Sequence, residues 1–330
     1  MANIQQLFQR FSSIKVGVIG DVMLDTYMWG DVERISPEAP VPIVSLKKKE
    51  QRIGGAGNVA LNLQSLGAKA FILSVTGDDE EAYKLKELFS LNRINTEYSI
   101  RSTGRITTNK TRIISRNQQM MRLDAEITQD LGKKDEELLI ESFERFISKE
   151  KPDVIILEDY NKGVLTEAVI QIIISICRKA GIITAVDPKR KNFFAYKHVD
   201  LFKPNLKEVK DALNLLSTDI ERPVLENIHL ELCNILNHSI SFITLSEKGV
   251  FYQYKNKASI IPSHLRNIAD VSGAGDTVIA VAALVYTATK DVPLMAEVAN
   301  IAGGLVCEVV GTAAIDKLKL IHECELLLKY

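Results

Sequence analysis

No hydrophobic run in this sequence approaches the roughly 20 residues that a membrane-spanning helix requires. The longest candidate, residues 278–286, has Asp276 before it and Lys290 after it, which favours a buried helix. The amino-terminal segment lacks a basic stretch followed by an apolar stretch and a small-residue cleavage site, so no signal peptide is predicted. We therefore expect a soluble cytoplasmic protein with no membrane partner.

An excess of charge of either sign is absent as well. The 330 residues include 41 Lys and Arg and 42 Asp and Glu, a formal net charge of −1, which argues against a nucleic-acid partner. The four cysteines are scattered and form no C-x-x-C pair, which favours reduced thiols over a disulfide framework or a metal site. Hydrophobic residues make up 46% of the chain, enough for a core of ordinary size.

Short β-branched runs alternate with amphipathic segments along most of the chain. Residues 15–20, 152–160, 182–188 and 241–249 have the pattern of buried strands, and stretches such as 165–181 between them have helical periodicity. This alternation predicts an α/β fold, in which a mostly parallel central sheet is covered by helices on both faces. The last third of the chain is predicted to be helical.

Two segments interrupt this alternation. Residues 31–49 and 96–124 have strand-like patterning, and neither segment contains a predicted helix between its strands. Strands joined in this way commonly pair antiparallel. We interpret them as a small β-sheet lid, formed by about residues 22–50 and 96–124, on a single domain that spans residues 1–330. An exposed edge of that sheet would favour a homodimer through the lid.

A glycine-rich loop precedes the first predicted long helix. Residues 53–62, IGGAGNVALN, contain a formal match to the G-x-G-x-x-A dinucleotide fingerprint. That fingerprint should follow the first strand directly, and an acidic residue should end the second strand about twenty residues further on. Here the loop follows residues 47–52 instead, and the strand after it ends at residues 76–78, so the match is weak. The glycines can instead allow a tight turn into a helix, or the exposed amides and Asn58 can receive polar groups of a ligand.

The stretch DVSGAGDT, residues 270–277, carries the strongest chemical signal. Gly273, Ala274 and Gly275 place successive amides at the start of an apolar helix, which makes an anion site. Asp276 lies among these donors. It can be an ordinary helix-start residue, or it can be a general base beside an anion site, as phosphoryl transfer requires.

The loop at residues 54–58 and the motif DVSGAGD together resemble the paired signatures of the PfkB (ribokinase-like) family of carbohydrate kinases, over essentially the whole chain. Residues 20–44, 115–124 and 158–165 closely resemble the D-glycero-β-D-manno-heptose-7-phosphate kinases of that family, which supply the heptose of lipopolysaccharide. Many of these kinases are fused to a nucleotidyltransferase with an H-x-G-H-type motif. No such motif occurs here, so the chain looks like the kinase half alone.

The resemblance implies ATP-dependent phosphorylation of the C1 hydroxyl of D-glycero-β-D-manno-heptose 7-phosphate to the 1,7-bisphosphate, with Mg²⁺ as the metal. It implies that Asp276 is the catalytic base and that the amides of Gly273, Ala274 and Gly275 hold the transferred group. The implied ATP-binding residues are Asn205, Glu208, Ser246, Lys248, Gly249 and Asn300. Of these, Asn205 and Glu208 would bind Mg²⁺ through water, although their spacing also fits a helix capping box.

Residues for the sugar phosphate also follow from the resemblance. Asp25 would bind hydroxyls, and cations in the lid and in the heptose-kinase motifs would hold the distant phosphate. The implied substrate-binding residues are Asp25, Arg34, Gly54, Gly55, Asn58, Lys110, Arg112, Arg122 and Lys162. Three alternatives remain open: a kinase for ribose, fructose or fructose 6-phosphate, a non-catalytic ligand-binding relative, and an NAD-dependent oxidoreductase.

Overall fold

The computed structural model describes residues 4–116, 118–215, 221–264 and 266–328. The strands, in chain order, are β1 (Lys15–Gly20), β2 (Val22–Ile35), β3 (Pro42–Gly55), β4 (Lys69–Leu73), β5 (Val75–Thr76), β6 (Ile100–Arg101), β7 (Thr108–Ser115), β8 (Gln118–Ala125), β9 (Val154–Glu158), β10 (Ile183–Asp187), β11 (Leu201–Phe202), β12 (Ile240–Thr244), β13 (Val250–Tyr254) and β14 (Lys257–Ile261).

The helices complete this alternation. In chain order they are α1 (Ile4–Arg10), α2 (Ala56–Leu66), α3 (Glu80–Leu91), α4 (Lys133–Glu150), α5 (Glu167–Ala180), α6 (Leu206–Leu213), α7 (Arg222–Leu236), α8 (Ala274–Thr289), α9 (Val292–Val306) and α10 (Lys317–Leu327). Short 3₁₀ turns lie at Phe11–Ser13, Arg190–Asn192 and Ser246–Lys248. No helix among the described residues combines the length and the apolarity that crossing a bilayer requires.

An eight-stranded sheet, in the order β14-β13-β12-β11-β10-β9-β1-β4, forms the centre of the fold. The pairs from β4 to β12 are parallel, and β13 and β14 are added antiparallel. Because side chains alternate across a strand, β9 sends Val154 and Ile156 into the core on the α2–α8–α9 face. Its Ile155 and Leu157 enter the core on the α4–α5–α7 face. This confirms the predicted fold class, although the antiparallel β13–β14 edge was not foreseen.

A second, four-stranded sheet has the order β3-β2-β7-β8. Its β2–β3 and β7–β8 pairs are antiparallel as expected, but β2 and β7 pair in parallel, so the expectation of purely antiparallel pairing was wrong. The two hairpins enter from separate parts of the chain, and alternation within a strand does not encode the direction of its partner. The lid segment proposed from residue 96 also begins too early, because Ile100–Arg101 pairs with Val75–Thr76 in a small separate sheet.

Candidate active site

Charged side chains collect at the carboxyl edge of the large sheet. β9 ends at Glu158, β10 ends at Asp187, and Lys203 directly follows β11. Parallel strands place their carboxyl ends at one edge, where α/β proteins commonly bind ligands. The first turn of α8 lies at the same edge, since a Cβ added at Gly275 would lie 3.5 Å from Asp187 Oδ2 and 3.8 Å from Lys203 Nζ.

The start of α8 forms the predicted cluster of amides, with one change. Gly273 is the N-cap residue with φ 79°, a left-handed conformation that favours glycine. Among the described residues, no acceptor takes the amide hydrogens of Gly273, Gly275 or Asp276. The amide of Ala274, by contrast, donates to the carbonyl of Val271 at 3.2 Å. The turn before the helix therefore uses one of the predicted donors and leaves the others open to an anion.

Asp276 is buried in the first turn of α8 and is held by two donors. Asn58 Nδ2 donates to Oδ2 at 2.8 Å, and the Tyr160 hydroxyl donates to Oδ1 at 2.7 Å. The pKa of Asp276 is raised to about 6, chiefly by burial and to a smaller extent by the nearby Asp187, while the two hydrogen bonds oppose the rise. A carboxylate with this pKa is ionised at neutral pH and basic enough to accept a proton from a hydroxyl.

Tyr160 was missed by the sequence analysis, although its motif, residues 158–165, had been singled out. The carboxylate of Asp21 fixes the loop after β9 by accepting from the amides of Tyr160, Lys162 and Val164 at 2.8, 3.0 and 3.0 Å. This aims the tyrosine side chain at Asp276. The available signal was that Tyr160 lies two residues before the predicted ligand Lys162. Its contact with Asp276 could not be predicted, because the two residues are remote in sequence.

Two acidic residues below the amides offer oxygen atoms. Glu158 is fully buried, neither of its carboxylate oxygens has a hydrogen-bond partner among the described residues, and burial raises its pKa well above the ordinary value. Asp187 binds Lys189 at 3.1 Å and Lys203 at 2.7 Å. Mg²⁺ prefers hard oxygen ligands. Both carboxylate oxygens of Glu158 are available for a metal, because no described residue forms a hydrogen bond with them. Glu158 and Asp187 therefore fit a magnesium ion.

The predicted Mg²⁺ residues Asn205 and Glu208 are occupied in another way. Asn205 Oδ1 accepts from the amide of Glu208 at 2.8 Å, and Glu208 Oε2 accepts from the amide of Asn205 at 2.8 Å. This is a capping box at the start of α6. Glu208 Oε1 also binds Lys189 at 2.7 Å. The pair thus orients a lysine that also contacts Asp187, and its assignment as a metal-binding pair stays a prediction.

The residues assigned to ATP lie further along the same sheet edge. Asn205 forms a bridge with Thr244, next to the exposed turn that holds Ser246 and Lys248. Gly249 follows with φ 94°, where an added Cβ would lie 2.0 Å from the carbonyl oxygen of Ile261, so this turn requires glycine. The Asn300 amide donates to the carbonyl of Pro262 at 2.8 Å and attaches α9 to the segment after β14, and its place near the nucleotide stays a prediction.

Asp25 and its predicted neighbours meet at the base of the second sheet. Arg112 Nη1 lies 2.6 Å from Asp25 Oδ1 in a largely buried ion pair. A Cβ on Gly54 would lie 2.3 Å from Asp25 Oδ2, so the glycine makes room for the carboxylate. Gly55 adopts φ 60° at the start of α2, where Asn58 then points to Asp276. The structure thus joins the two glycine-rich motifs through one hydrogen bond.

Lys110 is a half-buried cation with no ion-pair partner among the described residues. Its ammonium lies 5.6 Å from the centroid of the Tyr160 ring. Burial lowers the pKa of Lys110, and the positive charge of Lys162 lowers it further. Lys162 is itself paired with Glu126 at 2.7 Å. The carboxylates of Asp25, Glu126 and Asp124 raise the pKa of Lys110 only through longer-range attraction, so an additional anion beside the two ammonium groups is favoured.

Arg34 and Arg122 are not brought to this group. Arg34 is exposed near the far end of β2, about 30 Å of extended strand beyond Asp25 at the usual rise per residue. Arg122 is half-exposed. Its Nε and Nη2 atoms donate to Oδ1 and Oδ2 of Asp124, at 2.9 Å each. Both lie in the predicted motifs, but the length of the strand in one case and a local ion pair in the other separate them from Asp25.

A buried carboxylate lies among open helix amides, at the carboxyl edge of a parallel sheet and beside lysine side chains. Such an arrangement is typical of a phosphotransferase active site. Comparison with known families agrees: residues 13–318 match the pfkB family of carbohydrate kinases. The chain belongs to that family.

Curated relatives share 35–40% identity with this chain. The bifunctional protein HldE of Sulfurimonas denitrificans is 40% identical over 303 residues, which is 92% of this chain and 62% of the relative. The bifunctional protein HldE of Desulfatibacillum aliphaticivorans is 38% identical over 313 residues, or 94% of this chain and 63% of the relative. The chain therefore spans somewhat less than two thirds of the length of these relatives.

Solved structures agree in fold. Phosphofructokinase-2 from Escherichia coli, in complex with potassium, superposes with a TM-score of 0.79 at 17% identity, covering 94% of this chain and 99% of that one. Arabidopsis thaliana ribokinase complexed with ribose and ATP gives a TM-score of 0.71 at 15% identity, covering 93% and 98%. These likenesses establish the ribokinase-like architecture.

Proposed function

We propose that this protein transfers the γ-phosphoryl group of ATP to the C1 hydroxyl of D-glycero-β-D-manno-heptose 7-phosphate and forms the 1,7-bisphosphate. The motifs at residues 20–44, 115–124 and 158–165 support the heptose, and the HldE relatives match over nine tenths of this chain. One arrangement carries the proposal: Tyr160 touches the base Asp276 with its hydroxyl and faces the unpaired cation Lys110 with its ring.

Asp276 activates the sugar. The C1 hydroxyl would approach the carboxylate, transfer its proton to it, and attack the terminal phosphorus of ATP. Asn58 and Tyr160 hold the carboxylate in place through both of its oxygens. Because the base is fixed in advance, little reorganisation is needed when the hydroxyl arrives.

The open amides at the start of α8 receive the moving phosphoryl group. The amides of Gly273, Gly275 and Asp276 lie at the positive end of the helix, and Lys203 lies beside them. Amides fixed in the folded structure stabilise the negative charge that develops on the transferred oxygens. Mg²⁺, held by Glu158 and Asp187, would neutralise phosphate charge.

Lys110 and Lys162 account for a phosphorylated substrate. A free sugar has no group that balances an unpaired, half-buried ammonium, whereas a phosphate dianion does. Asp25 on β2 is the register partner of Lys110 on β7, and Arg112 lies two residues further along β7. The hydroxyl-binding and phosphate-binding groups therefore follow one another along the base of the second sheet, as a heptose with phosphate on its last carbon requires.

A substrate panel tests the proposal. We would measure ADP release with ATP and Mg²⁺ against heptose 7-phosphate, free heptose, fructose 6-phosphate, fructose and ribose, and identify the product by phosphorus NMR. We expect heptose 7-phosphate to give the highest kcat/KM and a new phosphate on the anomeric carbon. Preference for fructose 6-phosphate or ribose, or phosphorylation at another carbon, would overturn the assignment of the substrate.

We further propose that the second sheet forms the lid of the site and the contact of a homodimer, and that the enzyme acts in the cytoplasm, where ATP is available. Leu46, Met121 and Leu123 on this sheet are more than half exposed, and an apolar sheet surface favours association. Sedimentation of the protein and of the Met121→Lys variant tests this. A dimer that becomes a monomer in the variant agrees with the proposal, and a monomeric unmodified protein contradicts it.

A further inference from the structure

A cluster of metal-ligating side chains lies outside the active site, where α7 packs beside β12. His229 and Cys233 are one helical turn apart on α7, and His238 lies in the turn that leads into β12. One potential ligand atom from each of these three residues lies within 4.8 Å of the others. A pattern of paired cysteines does not reveal this group, because the cluster contains a single thiol.

Ser241 orients both imidazoles. Its Oγ lies 2.8 Å from His229 Nδ1 and 2.6 Å from His238 Nε2. A hydroxyl oxygen can accept two hydrogen bonds, so both ring N–H groups can donate to it, which leaves lone pairs on His229 Nε2 and His238 Nδ1. A hydrogen bond to the second ring nitrogen is how proteins commonly fix histidine ligands of metals.

The remaining ligand atoms have suitable spacing. Cys233 Sγ lies 3.4 Å from His229 Nε2 and 3.9 Å from His238 Nδ1. Tetrahedral zinc, with bonds of about 2.0–2.3 Å, holds its nitrogen and sulfur ligands roughly 3.5 Å apart. The sulfur is nearly as close to the other nitrogen of each ring, so it now packs against the ring faces. A rotation about the Cα–Cβ bond of Cys233 would be needed to bring it in line with the lone pairs.

The surroundings of these three side chains favour a bound metal ion. Both histidines are buried, so an ion that they hold would be shielded from bulk water. Cys233 is half-buried and not fully enclosed, which provides a path from solvent. Nitrogen and thiolate ligands select Zn²⁺ and similar ions over Mg²⁺.

We propose that His229, Cys233 and His238 bind a thiophilic transition-metal ion of the Zn²⁺ class, with a water molecule as the fourth ligand. On binding, the Cys233 thiol releases its proton to solvent and its sulfur forms the bond to the metal. The ion would then connect the end of α7 to the start of β12. This site is independent of the sugar kinase activity, and its test does not use that activity as a readout.

The test is titration of the metal-free full chain with Co²⁺ and with Zn²⁺, in excess Mg²⁺ so that hard-oxygen sites are filled. We expect one equivalent of Co²⁺ to give a thiolate-to-cobalt charge-transfer band, and Zn²⁺ to displace it and raise the Tm. Cys233→Ser should abolish the band. Ser241→Ala, which keeps all three ligands, should weaken affinity about tenfold to hundredfold. Cys307→Ser, at another half-buried thiol, is the matched control and should bind normally.

Several results would overturn the inference. One is the absence of a thiolate band and of Zn²⁺ stabilisation in the unmodified protein. Another is a band that survives Cys233→Ser or disappears in Cys307→Ser, because the ion would then be held by other groups. Full affinity in Ser241→Ala would contradict the orienting role of the hydroxyl.

Discussion

The Tyr160 hydroxyl should set the pH at which the enzyme becomes active. It donates to Asp276 Oδ1 at 2.7 Å and so stabilises the ionised base, whose pKa is about 6. A hydrogen bond to a charged group contributes about 1.5–3 kcal/mol, and one pKa unit corresponds to about 1.4 kcal/mol. Tyr160→Phe should therefore raise the pKa of Asp276 by about one to two units. At pH 7 the ionised fraction of the base, and with it kcat/KM, should fall about twofold to tenfold.

The assay is kcat/KM for the sugar phosphate from pH 5 to 9 at saturating ATP. The ionised base is the active form, so activity rises with pH through its pKa, and the variant should move this acidic limb to higher pH and recover activity in alkaline buffer. Tyr196→Phe is the matched control. Tyr196 donates to Asp159 at 2.7 Å, and burial also raises the pKa of Asp159 to about 6. An unmoved limb in Tyr160→Phe, or an equal shift in Tyr196→Phe, would refute the reasoning.

Three further results are expected. Lys110→Gln should raise KM for the sugar phosphate about tenfold to hundredfold and leave weak turnover of the free sugar unchanged, whereas Lys133→Gln, at an exposed lysine, should alter neither. Gly273→Ala should cost at least about 1–2 kcal/mol of unfolding free energy, because φ is 79°; Gly275→Ala, with room for a methyl group, should retain the Tm. Asp276→Asn should raise the Tm at pH 7. The folded pKa of about 6 exceeds the ordinary 3.8, so the ionised carboxylate costs up to about 3 kcal/mol, and the gain should vanish as pH falls from 6 towards 4.

Local sequence patterns anticipated the parts of the site that one segment builds alone. The start of α8 could be predicted from three small residues before an apolar stretch. The capping box of Asn205 and Glu208 could be predicted from their spacing. Asn58 lies in the first turn of α2, directly after the glycine-rich loop, as its place in the motif indicated. In each case the backbone conformation is determined within a few residues, so neighbours in sequence suffice to predict it.

Contacts between distant segments could not be predicted in the same way. Tyr160 meets Asp276 because separate segments come together at one edge of the sheet. At the same edge, Glu158 has no hydrogen-bond partner in the part of the chain that the structure describes. Lys110 stands beside Asp25 only because β2 and β7 pair in parallel, and alternating residues identify a strand without naming its partner or direction. Arg34 shows the reverse case: it belongs to a predicted motif, but the length of β2 separates it from Asp25, and its role in binding stays a prediction.

The most direct test of the account is the turnover of Asp276→Asn with ATP and heptose 7-phosphate, measured together with the Kd for ATP. The account predicts that kcat falls about 10²–10⁴-fold, as loss of a general base requires, while ATP binds with nearly unchanged affinity because the amides and lysines remain. Turnover close to that of the unmodified protein would contradict the claim that this carboxylate activates the sugar hydroxyl.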